Sequence, residues 1–133
     1  MMNDKAELGV NKMVAVGISG SEFSTTDVRV VRSTFEFEIG GFKATESLKF
    51  TVIAESSAIR EGAEFPITES TSIPNSAYAV YKSPTETLKG ISGKIVFSKY
   101  DENSRRGTIV VMMEMAGSEG KKTVKAESDF SFS

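Results

Sequence analysis

The sequence predicts an all-β protein, an antiparallel β-sandwich or closed β-barrel of about eight strands built as a single domain over residues 1–133. Three observations carry this. Apolar and polar residues alternate with a period of two along most of the chain, and no segment shows a helical period. Turn-forming residues break the alternation at short intervals, with no βαβ rhythm. A chain of 133 residues, 39% hydrophobic and 26% charged, has an ordinary globular composition and is long enough to bury a core without staples.

Residues 1–11 are expected to form a flexible N-terminal segment. The first alternating run, 12–19, sets Val14, Val16 and Ile18 on one face, and Gly20-Ser21 with residues 24–27 reads as turn or loop. Residues 27–39 form a long β run whose parity switches. Val28 and Val30 share one side, whereas Val31, Phe35, Phe37 and Ile39 share the other, which predicts a bulge between Val30 and Thr34. Ile39-Gly40-Gly41-Phe42 then reads as a two-residue hairpin, because both glycines can take positive φ. Folding there sets Ile39 opposite Phe42, Phe37 opposite Ala44 and Val31 opposite Phe50, with Glu38 facing Lys43 and Glu36 facing Thr45 on the wet side. The returning strand runs on through Leu48, Phe50, Val52 and Ala54.

Glu61-Gly62 reads as a turn before a short strand, 63–68, in which Pro66 cannot donate to a ladder and so belongs at an edge or a strand end. A polar loop, 70–76, leads to a strand over 77–82 with Tyr78 and Val80 on one side. The last third is a three-strand meander. Its inward residues are Ile95 and Phe97 in the first strand, Ile109, Val111, Met113 and Met115 in the second, and Val124, Ala126, Phe130 and Phe132 in the third.

Composition excludes much chemistry. The chain has no cysteine, so disulfides, thiol nucleophiles and thiolate metal sites are ruled out. It has no histidine, which removes the commonest general base near neutral pH, every Ser-His-Asp arrangement and the usual zinc sites. Without tryptophan there is no Trp platform for sugars or choline. No Gly-x-Ser-x-Gly elbow, P-loop or dinucleotide fingerprint is present. The expectation is a protein with no catalytic residue, no cofactor and no metal.

The remaining polar clusters have plain explanations. Glu36 and Glu38, with Glu46 across the predicted hairpin, lack the apolar pocket that would raise one carboxyl for acid catalysis, and read as a solvated strand face. Asp101-Glu102-Asn103-Ser104 lacks the spacing and central glycine of a calcium loop, and Asx-turn chemistry accounts for it. Interleaved aromatic and basic residues of the kind that bind single-stranded nucleic acid are confined to Tyr81-Lys82 and Lys99-Tyr100, so no nucleic-acid partner is expected. No stretch approaches the roughly 18 to 20 apolar residues of a spanning helix. The polar N-terminus lacks a secretory core, so the expected setting is cytoplasmic, or external if a signal segment has been removed.

Two features point outward. Val110 and Met112 break the alternation by placing apolar side chains on the supposed wet face of a strand, so that strand is either covered on both sides or forms an interface. Charge is also uneven: residues 1–88 hold eight Lys/Arg against twelve Asp/Glu, residues 89–125 eight against four. The basic residues Arg105, Arg106, Lys121 and Lys122 lie near predicted turns and suggest a basic patch.

Residues 58–132 carry a recognisable order of pieces: Ile59-Arg60-Glu61-Gly62-Ala63-Glu64-Phe65-Pro66-Ile67, Ala77-Tyr78-Ala79-Val80-Tyr81, residues 92–101, Arg106-Gly107-Thr108-Ile109 and Ser128-Asp129-Phe130-Ser131-Phe132. This order resembles a group of small bacterial β-sandwich or β-barrel domains of unknown function, many of them secreted or lipid-anchored. The resemblance implies a fold and no activity.

The expected function is therefore a non-catalytic binding module that uses a strand edge or sheet face for a protein partner or for a second copy of itself, with Val110, Met112, Arg105 and Arg106 as interface candidates. The alternative is a lipocalin-like barrel carrying a small apolar ligand in a Phe-lined cavity.

Overall fold

Ten antiparallel strands form one sheet that curls until its two ends meet, a near-closed barrel, in a computed structural model that describes residues 11–133. The predicted flexible segment, Asn11 apart, lies outside the described residues. The strands are β1 (Lys12–Val16), β2 (Phe23–Thr25), β3 (Val28–Arg32), β4 (Glu36–Lys43), β5 (Glu46–Ile53), β6 (Glu64–Pro66), β7 (Ser76–Lys82), β8 (Thr87–Asp101), β9 (Arg106–Gly117) and β10 (Gly120–Ser131). Their order across the sheet is β2-β1-β10-β9-β8-β7-β5-β4-β3. Strand β6 pairs with β8 beyond the stretch that β7 occupies.

The three-strand meander of the last third is present, with the inward residues that its alternation predicts. Ile95, Phe97, Ile109, Val111, Met113, Met115, Val124, Ala126, Phe130 and Phe132 are all buried. Pro66 ends β6, as its missing N–H requires. Strand β8 is longer than predicted because two bulges let it bend. Its register against β9 shifts between Thr108 and Ile109 and again between Glu114 and Met115. Each shift flips the parity of β8, so Leu88 and Gly90, then Ile95 and Phe97, then Tyr100 all turn inward. Gly93, at φ +121°, makes the middle stretch possible. A Cβ there would run into the Met112 carbonyl oxygen and lie 2.5 Å from Met113 Cα.

Three local expectations are corrected. The chain does not turn at Gly40-Gly41, which lie in the middle of β4. It turns at Ala44-Thr45, where Ala44 takes φ 51° and Lys43 pairs with Glu46. Ile39 thus faces Phe50, Phe37 faces Val52, and Phe42 points outward. These glycines serve close approach rather than chain reversal. A Cβ on Gly41 would sit 2.7 Å from Met13 Sδ and 3.0 Å from Thr25 Cγ2, whereas Gly40 lies under the Phe42 ring. The predicted bulge between Val30 and Thr34 is a second reversal. Ser33 N–H donates to the Glu36 carbonyl at 2.9 Å, and β3 folds back on β4 with Val30 opposite Ile39. In β1 the inward residues are Met13 and Ala15, with Val14 and Val16 outside. Gly17, at φ +100° and packed against the Thr123 carbonyl, reverses the parity so that Ile18 returns to the core.

Side chains close the seam where the sheet's ends meet. Thr25 Oγ1 on β2 donates to the Phe42 carbonyl of β4 at 2.6 Å. At the other end Arg32 of β3 donates to the Tyr100 hydroxyl at 3.0 Å, pairs with Glu102 at 3.2 Å and lies 4.3 Å above the Phe132 ring, which stacks on Tyr100. The interior is filled. Phe37 meets Phe97 and Phe130 across the barrel at 5.3 and 5.5 Å, mostly edge-to-face, and Phe65 meets Phe97 at 6.0 Å. Phe50, Leu48, Ile39, Ile95 and Ile109 are fully buried around them. A carrier needs an internal compartment, and this axis is occupied by side chains.

Two variants test this account by urea unfolding. Phe97→Ala should lose about 3–5 kcal/mol, because Phe97 is fully buried and in contact with four other rings. Gly93→Ala should lose about 3 kcal/mol or more, the sum of positive-φ strain and collision with β9 backbone. A near-neutral Gly93→Ala would show that the bulge of β8 is not held by this glycine.

Candidate interaction surface

Antiparallel registers place directly opposed residues on the same face of a sheet, so the outer surface over β1, β10, β9, β8 and β6 can be read row by row. One row is Val14, Glu127, Val110, Val96 and Glu64; the next is Val16, Lys125, Met112, Lys94 and Pro66. Met112 is 54% exposed, Val16 47% and Val110 37%, while Val14 and Val96 are half-buried. Among the described residues nothing lies over Val110 and Met112. Lys94 Nζ bridges to Glu64 Oε1 at 3.2 Å, whereas Lys125 and Glu127 have no ion-pair partner among the described residues.

Arg106, Thr108, Val110 and Met112 follow one another at alternate positions along the outer side of β9. Arg106 therefore shares the face of the two apolar residues, about 13 Å from Val110 at roughly 3.3 Å per residue. Arg105 does not join them. It sits in the β8–β9 turn at φ 59°, its N–H donating to the Asp101 carbonyl at 2.8 Å and its carbonyl accepting from Phe132 N–H at 2.9 Å. The suggested basic patch is divided. Lys121 pairs with Ala116 at the far end of the β9–β10 hairpin from Arg106, about 33 Å away, and Lys122 donates to the Ile18 carbonyl.

Beyond the Val110 row, towards the β8–β9 turn, lies an open cleft of about 850 Å³. Its walls combine Lys12, Lys99, Arg106, Thr108 and Asp129 with the rings of Tyr100 and Phe130. Thr108 Oγ1 donates to Asp129 Oδ1 at 2.7 Å, and Ser98 Oγ to the Thr108 carbonyl at 3.3 Å. Cations and carboxylates alternate here, which gives the cleft no dominant charge. Asp101 at its rim caps its own turn, accepting from the N–H groups of Asn103 and Ser104 as the Asx reading expects. Among the described residues no three Asp or Glu side chains converge as metal ligands. Glu36 and Glu38 lie on the outer side of β4, and Glu46 is held by the Tyr81 hydroxyl at 3.0 Å, so these carboxylates form no catalytic pair.

Val110, Met112 and Arg106 stand out in the sequence, whereas their neighbours Val14, Val16, Val96, Lys125 and Glu127 do not. The signal existed only in the registers, since β1 is brought beside β10 from the other end of the chain. No described helix is long and apolar enough to cross a membrane. Compared with known proteins, the chain matches no family model, no curated protein and no solved structure.

Two phenols, Tyr100 beside the cleft and Tyr81 inside β7, offer a pH test of the packing. Burial, reinforced by the hydrogen bond to Glu102 and opposed by Arg32, raises the pKa of Tyr100; burial and the bond to Glu46 raise that of Tyr81. A raised folded-state pKa stabilises the fold fully below about pH 10, the unfolded value, and that contribution disappears as pH climbs through the folded value. Stability should therefore fall with rising pH above about 10. The fall should be shallower in Tyr100→Phe, measured by denaturant midpoints alongside phenolate absorbance. An identical slope in the variant would remove Tyr100 from this account.

Proposed function

We propose that the chain is a non-catalytic interaction module that docks a protein on the outer face of β1, β10, β9 and β8, with Val110 and Met112 at its centre. One observation carries this. Five apolar side chains, Val14, Val16, Val96, Val110 and Met112, gather on the outside of a barrel whose interior is already full. Scattered apolar residues are ordinary on a surface, but residues in register on β1, β9 and β8, with only Glu127 and the Lys125 stem of β10 between them, form a patch. The absence of His and Cys from the chain and the lack of a carboxylate cluster at this face support binding over chemistry. Arg106 and the open cleft extend the face towards the β8–β9 turn, where Lys12, Lys99 and Asp129 supply a charged rim of the kind interfaces carry.

Hydroxyl-radical footprinting tests the reading, because an exposed thioether reports its own coverage. Met112 should be protected at least threefold relative to the exposed Phe35, either in the concentrated pure protein or in lysate of the cells that produce it. Met112→Lys, which leaves the core untouched, should restore full reactivity to a reporter phenylalanine placed at Val110. Equal reactivity of Met112 and Phe35 under all conditions would overturn the docking function.

A further inference from the structure

We infer that the occupant of this face is a second copy of the same chain, an inference that rests on the docking reading above and names its partner. The argument lies in how charge is distributed over the two rows. The Val110 row carries carboxylates, Glu127 and Glu64; the Met112 row carries ammonium groups, Lys125 and Lys94. A two-fold axis lying in the plane of the contact, parallel to the rows and midway between them, turns each row onto the other row of the second copy. Residues of one strand then meet the same strand of that copy. Glu127 faces Lys125, Val110 faces Met112 and Val14 faces Val16, each contact occurring twice, while Val96 meets the Lys94 stem and Glu64 meets Pro66. Lys94 and Glu64 thus keep their bridge within each copy, and the complementary charges of the contact are Glu127 and Lys125.

No other property of the face selects a different protein as clearly. The apolar column of β9 and the outer apolar column of β1 meet their own kind, and the intervening β10 column supplies two opposite charges that have no ion-pair partner within the described chain. The Lys125 stem lies between Val16 and Met112 and can extend the apolar strip while its ammonium reaches the opposing carboxylate. Such a contact packs the two sheets nearly aligned, within about 30°. The outside of a barrel is convex, so only about four strands engage. The association is accordingly weak and concentration-dependent, at micromolar to millimolar protein rather than below.

Charge reversal makes the test specific. Lys125→Glu would set carboxylates against Glu127 at both symmetric contacts, and Glu127→Lys would set ammonium groups against Lys125. Each variant alone should self-associate at least about tenfold more weakly than the natural chain in sedimentation equilibrium. An equimolar mixture of the two should recover association, because every contact between unlike variants is again attractive, and the double reversal should recover it within one chain. Circular dichroism on each variant controls for folding, which these exposed positions leave intact. A natural chain that stays monomeric up to about a millimolar, or a mixture that fails to recover, overturns the second copy as occupant. Protection of Met112 in lysate alone would then leave the docking function standing with another protein as partner, whereas no protection anywhere would remove both.

Discussion

A strand of fifteen residues would be about 50 Å long if it ran straight, and β8 has to wrap around a barrel without losing its apolar side. Everything central in this molecule depends on how that conflict is resolved. Two bulges bend β8 and reverse its parity twice, so Leu88, Ile95, Phe97 and Tyr100 all reach the interior although they do not share one alternation. The bend at Gly93 brings β8 so near β9 that only hydrogen fits between them. Because β8 also holds β7 at its first residues and β6 along its middle, it joins the C-terminal meander to the remaining strands. An error of one residue in its register would move Phe97 from the ring cluster to solvent.

The interior that results has no room to spare. Phe37, Phe97 and Phe130 come from strands distant in the sheet and meet edge to face. Gly41 and Gly107 are inward positions already taken by neighbours, Met13 in the first case and the Phe130 ring in the second. Closure at the seam relies on side chains, Thr25 at one end and Arg32 at the other, because the strands at the sheet's two ends share no ladder. With the axis occupied by rings, Val14, Val16, Val96, Val110 and Met112 are apolar groups that the core does not use.

How much of this was legible in the sequence follows from the range of the interactions involved. The inward sets of β9 and β10 were readable because hairpin partners adjacent in sequence keep a simple alternation. Val110 and Met112 stood out against that regular background. Gly40-Gly41 misled because a pair of glycines carries the same local signature whether it turns the chain or admits a neighbour. What distinguishes the cases is Met13, which is 28 positions away. The reversal after Arg32 resembled a bulge because both devices switch parity, and a single strand's pattern cannot tell them apart. Val14 and Val16 looked like core, since the smaller Ala15 and flexible Met13 give no stronger signal than two valines. The basic residues grouped by sequence were separated by the length of the β9–β10 hairpin, a matter of geometry that charge counting does not contain.

An apolar face on the outside of a sheet is also a hazard, and the surrounding charges limit it. Each exposed apolar residue of the central patch has a charged group beside it, Lys125 and Lys94 flanking Met112 and Glu127 beside Val110. A partner that buries Met112 must therefore satisfy or displace two ammonium groups, and one that buries Val110 must accommodate a carboxylate. Random hydrophobic contact does neither. Of the other exposed apolar residues, Phe35 lies in the turn after β3 and Val31 on the edge strand itself, where Arg29 and Arg32 flank it and discourage strand addition. Arg32 is committed to the seam, and Arg29 to Asp27 and the Phe42 ring, so that edge has spent its cations on the fold itself. On β10, Lys125 and Glu127 have no ion-pair partner among the described residues, and under the proposed docking a couple of opposite sign beside an apolar strip would favour a partner that supplies both complementary charges.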